Sequence, residues 1–302
     1  MILNQKKLQF LGVCGIFRET FRLIFTATTI FSQITLAFIL PLSLLIFALS
    51  QTSNLWSIHS LPFNFTLFFF SAVFFFLSTS TAVFSAASTF TDREITFYHL
   101  ILIAPKVCKQ LLITFLCLIV DFLAFNFFAL LAITLIDIAI FLLLNYGSVE
   151  FLTQLLILFL SVEAFYFALI WQISSVVSVL EADSYGFEAI ARSKEVVKGK
   201  MAMASILLIL IGFPFGGIVF VLRYVVVVES ELVRVGILGI IWMYSFMMFL
   251  LSGTVLYFVC KLFHGESFDE SALSDHLQGY LPIHSESFKV EDDDEDEKSL
   301  VV

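Results

Sequence analysis

Six apolar stretches, each about 20 residues or longer, constrain this chain more than any motif does: 30–49, 65–90, 111–143, 152–180, 201–228 and 235–263. A helix rises about 1.5 Å per residue, so about 20 apolar residues cross the roughly 30 Å of hydrocarbon in a bilayer. Lipid offers no hydrogen bonds to a backbone, and a helix satisfies its own. The chain therefore reads as all-α: a polytopic membrane helical bundle of about six transmembrane helices. The third stretch is long enough for one tilted span and too short for two with a turn. No Gly or Pro interrupts it. Composition agrees: 60% of residues are apolar and 14% charged, too few charges to cover a soluble domain of 302 residues. The 38 Phe suit faces turned to lipid or gaps between spans.

Charge placement checks the count independently. The segments before span one, between two and three, and between four and five carry 4, 3 and 4 Lys/Arg, while the three intervening loops carry only Arg234. The bases are Lys6, Lys7, Arg18 and Arg22; Arg93, Lys106 and Lys109; and Arg192, Lys194, Lys198 and Lys200. By the positive-inside rule both the N and C termini are cytosolic, and one miscounted span would destroy the alternation. The net charge of −9 belongs to the tail, where 12 acids face 2 lysines from His264 onward. Seven consecutive acids, Glu291 to Glu297, repel one another too strongly to compact. Three regions follow: a cytosolic or interfacial amphipathic segment (1–29), a six-span domain (30–263) and an acidic, largely disordered cytosolic tail (264–302). Lys6, Lys7, Arg18 and Arg22 break what would be the apolar core of a cleavable leader. The first span is thus an uncleaved anchor, and the expected address is the secretory pathway, in the endoplasmic reticulum or plasma membrane.

Within that frame several segments carry two readings. Phe10, Val13, Phe17, Phe21, Ile24 and Phe25 recur at near-helical spacing, which fits a helix on the inner leaflet or one packed on the bundle. Ser78, Ala82 and Ala86 form a small-residue stripe, suited to close helix contact and also tolerated in a polar path. Gly212, Pro214, Gly216 and Gly217 predict a kink in span five, for packing or for gating. Cys14, Cys108 and Cys260 flank spans where palmitoylation occurs, though inert membrane-edge thiols are the favoured reading; no disulfide framework is implied. Asn64-Phe-Thr66 is a glycosylation sequon that abuts the membrane.

Ionisable groups at membrane depth are the first candidates for chemistry, because desolvation makes them costly. Asp121 and Glu163 each fall near mid-bilayer, and no Lys or Arg shares that depth on the sequence reading. Bonded to each other or to Asn126, they would exchange protons during transport or staple spans three and four together. Asp137 and Arg223, in the outer half of spans three and five, suit a structural ion pair. There is no HExxH, no Cys-x-x-Cys, no G-x-S-x-G and no Walker loop, and His59, His99, His264, His276 and His284 lack ligand spacing. His264 and Asp269 have an acyltransferase-like spacing without the α/β domain that uses it. No catalytic residue, metal or cofactor is expected. The most patterned loop runs from Glu181 to Lys200. Gly186 fits a turn and 187–197 reads as a short helix with one apolar side along the inner leaflet. Arg192, Lys194, Lys198 and Lys200 would meet anionic headgroups, worth about 1 kcal/mol each, or simply mark the cytosolic side.

This cassette, the entry segment Leu11-Gly-Val-Cys-Gly-Ile-Phe-Arg-Glu19, Ile30-Phe-Ser-Gln-Ile-Thr-Leu36, Ala104-Pro-Lys106 and Ser271-Ala-Leu-Ser-Asp-His-Leu277 with Tyr280 resemble a family of plant multi-spanning membrane proteins, themselves largely uncharacterised. The likeness runs over most of the chain. Some of those proteins are labelled binders of a polyadenylate-binding protein, and these residues show no nucleic-acid chemistry. More loosely, 181–200 is similar to membrane domains attached to bacterial glycerophosphodiester phosphodiesterases, which implies a membrane module without the catalytic barrel. The expected role is a non-catalytic membrane-organising or partner-binding component, its partners being the lipid bilayer and a protein met through the acidic tail. A small-solute or proton-linked transporter is the alternative, and an intramembrane lipid-modifying enzyme comes third.

Overall fold

The computed structural model describes residues 11–51, 61–90, 96–144, 149–181, 184–220 and 231–265, and among them there is no strand. The helices are α1 (Val13–Thr26), α2 (28–51), α3 (Leu61–Phe90), α4 (Phe97–Leu144), α5 (Val149–Leu180), α6 (Phe187–Val197), α7 (Met201–Phe220) and α8 (Glu231–Phe263). Six of them are long and apolar enough to cross a membrane: α2 to α5, α7 and α8. The chain is an all-α, polytopic helical bundle. The tail beyond Gly265, where the run of acids lies, falls outside the described residues.

The N-terminal segment packs on the bundle. Ile16, Thr20 and Leu23 recur every three or four residues and are buried, with α1 lying against α8, α7 and α2. One residue, Ala27, separates α1 from α2, and its N–H still bonds to the Leu23 carbonyl. Inside α2 the residues Thr35–Ile39 form a π-helical turn, closed by the Leu40 N–H on the Thr35 carbonyl. Pro41 explains its place. In an α-helix its absent N–H would serve the Ala37 carbonyl and its ring would strike it, and widening the preceding turn relieves both.

α4 departs most from the sequence reading. The expected start is residue 111, after the Ala104-Pro105-Lys106 segment, yet the helix begins at Phe97 and runs through Pro105. Leu100, Ile103, Ala104, Val107 and Leu111 explain why: they recur at helical spacing and are all buried. Packing along that stripe outweighs the roughly 3 kcal/mol a helix-interior proline costs. The 48 residues of α4 would measure about 72 Å. Hydrocarbon is only about 30 Å thick, so part of α4 stands outside it.

The two halves of the bundle pack differently. At the basic end nearly every residue of 78–88 and 250–260 is buried, along with Ile173 to Leu180. Toward the other end Phe63, Phe65, Phe68 and Phe69 of α3 and Leu123, Phe125, Phe127 and Phe128 of α4 are exposed, as lipid-facing residues are. Between them lies an aromatic layer. Trp171 of α5 stacks on Phe75 of α3 (5.7 Å between centroids, 22°) and meets Phe115 of α4 edge-on at 4.9 Å; Phe246 of α8 is 5.6 Å from Phe75. The layer joins four spans where lipid supplies no hydrophobic drive and close packing must hold helices together.

Buried hydroxyls crowd the packed half, and several on α3 bond to carbonyls of their own helix. Ser78 and Thr79 donate to the Phe75 carbonyl (2.9 and 2.8 Å), Ser80 and Thr81 to Leu77 (3.1 and 2.7 Å), and Ser88 to Ser85 (2.8 Å). Ser78, Ala82 and Ala86 are fully buried, so the small-residue stripe serves close contact. Gln172 crosses between helices: its Nε2 donates to the Phe249 carbonyl (2.8 Å) and to Ser252 Oγ (3.3 Å) on α8. α7 is helical through 212–217, and a Cβ added at Gly212, Gly216 or Gly217 would meet nothing within 4 Å among the described residues.

Candidate functional site

Two sites gather polar side chains, and α6 contributes to both. Residue for residue, α6 occupies the helix expected from the sequence, Phe187–Val197, but its apolar side faces protein. Ala189, Ile190, Val196 and Val197 are buried against α5, α4 and α8. Its entry is set by Gly186, whose φ of +66° is a region that L side chains rarely adopt. The Gly186 N–H donates to Thr114 Oγ1 of α4 at 2.9 Å. The same oxygen donates to the Gln110 carbonyl and shares a hydrogen bond with Ser178 Oγ of α5, each at 3.0 Å. One threonine thus fixes where the α5–α6 turn meets α4.

The first site is a knot around Glu181, directly after α5. Tyr257 and Lys261 lie four apart on one face of α8. Tyr257 Oη donates to Glu181 Oε1 at 2.6 Å, and Lys261 Nζ donates to the same oxygen and to Tyr257 Oη, both at 3.2 Å. Arg192 Nε of α6 faces Glu181 Oε2 at 3.8 Å, and its Nη1 also faces Glu195 at 3.6 Å. Burial by itself pushes the Glu181 carboxyl up; the Tyr257 hydrogen bond and the Lys261 and Arg192 charges outweigh it and hold the group below the usual carboxylate range. Near the knot His264 Nε2 lies 3.1 Å from the Val196 carbonyl, which accepts when that nitrogen carries the proton. Its chemistry is that of a clamp joining α5, α6 and α8.

The second site is a crevice of 270 Å³ between α4 and α5, lined by Asp121, Phe122 and Phe125 on one side, Glu163, Tyr166 and Phe167 on the other, and reached by Lys194 of α6. Asp121 and Glu163, the two carboxylates singled out in the sequence, line one cavity. The expectation that no base shares their depth is corrected: Lys194 Nζ stands 3.4 Å from Asp121 Oδ2, because α6 folds back onto α4. Both partners are about half exposed, which makes this pair a weak one, of roughly 0–1 kcal/mol. Asn126 donates its amide to the Phe122 carbonyl at 2.9 Å and lies beside the Glu163 carboxyl. Glu163 is 7% exposed, and its Oε2 has no hydrogen-bond partner among the described residues. A larger cavity of 390 Å³, at the π-turn of α2 against α8, has no charged lining.

The remaining sequence candidates fall as follows. Of the four loop bases, Arg192 and Lys194 pair within the chain, Lys200 Nζ lies 4.5 Å over the Phe263 ring, and Lys198 is exposed. The Asp137–Arg223 pair lies outside the described residues: Arg223 falls within 221–230, and Asp137 is described in its backbone alone. Asn64 sits in the first turn of α3 with its amide buried, unlike the exposed loop that glycosylation acceptors occupy. Among the described residues no three His, Cys, Asp or Glu gather closely enough to hold a metal. Tyr257 and Lys261 gave no sequence signal; their i, i+4 spacing at the end of a span was the available clue.

No curated protein and no solved structure matches this chain. One family model does, over residues 1–61 and 56–293, nearly the whole chain. On that match, a chain built as this six-span bundle with its Glu181 knot and α4–α5 crevice belongs to the family described as a domain of unknown function, DUF8558.

Proposed function

We propose that the protein is a non-catalytic, multi-pass component that organises membrane or binds a partner in the secretory or plasma membrane system, with its basic end and both termini in the cytosol. The observation that supports this reading is the closed basic half: Thr79 and Thr81 bond to carbonyls of their own helix and Gln172 ties α5 to α8. A polar pathway needs groups that point into it unbonded; these are engaged in packing. Likeness to plant multi-spanning proteins supports a plant endomembrane setting. The acidic tail is the partner-binding element, suited to a basic protein surface. Proximity labelling from the tail in native cells tests this. A recurrent set of neighbours, lost when Glu291 to Glu297 are neutralised, is expected; labelling that merely tracks the abundance of membrane proteins would reject it.

Proton-linked transport is the second reading, favoured by the convergence of Asp121, Glu163 and Lys194 on one cavity. Its test is flux in proteoliposomes. Asp121→Asn and Glu163→Gln chains that assemble normally but lose flux would support transport, and lost assembly would support a stapling role.

A further inference from the structure

We propose that the α4–α5–α6 crevice binds the primary ammonium group of an amphipathic amine, with the Glu163 carboxylate as its counter-charge. Glu163 carries the inference. It is 7% exposed, its Oε2 is buried without a partner among the described residues, and it lines the cavity. A carboxylate at membrane depth requires a cation or a proton to be stable there. The one base among the described lining residues does not supply it, because Lys194 is engaged by Asp121 at 3.4 Å. When Glu163 is ionised, its counter-cation therefore comes from outside the chain.

The walls narrow the chemistry. Phe122, Phe125 and Phe167 present aromatic surface to the space beside Glu163, and ring faces attract an ammonium while accommodating an alkyl chain. Phe125 is also exposed on the lipid-facing side of α4, so the space opens toward lipid. At 270 Å³ the cavity lies just below the roughly 300–1,000 Å³ of ligand pockets. It holds the charged end of a ligand and leaves the chains in the bilayer. A primary ammonium has N–H groups to donate to Oε2, and a quaternary ammonium has none. A phosphate on the same molecule would meet Lys194, which keeps N–H groups beyond the one directed at Asp121. This chemistry is shared by an ethanolamine phospholipid and by a long-chain sphingoid base. The site stands whether the bundle organises partners or carries protons.

Native mass spectrometry of the purified full-length chain in detergent tests the site. The probes are phosphatidylethanolamine against phosphatidylcholine with the same acyl chains, and sphingosine against its N-trimethylated form. At least about tenfold tighter retention of the primary amine is expected in one or both arms, the range of one charge-assisted hydrogen bond. The arm that shows it identifies the source. Glu163→Gln removes the preference, and Ser161→Ala, an exposed α5 hydroxyl that bonds to its own helix, preserves it. Equal retention of primary and quaternary forms by the native chain overturns the proposal, and that comparison holds even if Glu163→Gln fails to fold. So does a preference that survives in a monodisperse Glu163→Gln chain.

Discussion

Thr114 and Ser85 are both buried hydroxyls at the packed end, and their bonding separates their roles. Ser85 Oγ has no hydrogen-bond partner among the described residues, whereas Thr114 Oγ1 accepts the Gly186 N–H at 2.9 Å. Thr114→Val leaves that N–H unsatisfied and is expected to lower stability by about 1–3 kcal/mol. Ser85→Ala should change it little, as read by thermal unfolding in detergent. Glu181→Gln removes the negative charge that Tyr257 and Lys261 share, and about 2–3 kcal/mol should be lost at neutral pH. The pH dependence follows from the depressed carboxyl. Its stabilisation is complete above the ordinary value of 4.5 and disappears as pH falls through the lower folded value. Melting curves of native and Glu181→Gln chains should therefore converge in acid. A gap that widens in acid would contradict the knot. Glu181, Arg192 and Lys194 were conspicuous in the sequence as a patterned loop, but their pairing was not. Partners 76 and 80 residues away share no local pattern with the loop.

At the scale of elements, helix contacts here depend on what the backbone can approach. A Cβ on Gly253 of α8 would lie 2.6 Å from Gln172 Cγ of α5. Gly253→Ala must displace Gln172 and strain its bond to Phe249, for an expected loss of about 1–3 kcal/mol. Adding Gln172→Ala relieves the overlap, so the double variant should lose less than the two single losses combined. Monodispersity after heating measures all three, and strict additivity would contradict the close approach. Spans two and five were recognisable as apolar runs, and α6 was legible from its alternating apolar and basic positions. The π-turn of α2 and the early start of α4 were not. Both depend on proline, whose local penalty reads as a break until the packing that offsets it is known.

For the whole molecule, the alternation of basic segments predicts one orientation, and the described cysteines allow it to be measured. Cys14 is exposed on α1 and Cys260 is buried at the end of α8. In single-cysteine chains, an impermeant maleimide should reach Cys14 only after the plasma membrane is opened, and Cys260 should resist it throughout. Modification of Cys14 in intact cells would invert the topology. The span count and the all-α class were settled by sequence alone, because hydrocarbon demands long apolar helices whatever their neighbours are. Tertiary structure decided the rest: that α1 and α6 pack on protein, that Lys194 reaches Asp121, and that Glu163 Oε2 is buried without a hydrogen-bond partner among the described residues. Those outcomes depend on which surfaces meet across the bundle, and a one-dimensional pattern of polarity carries no record of that.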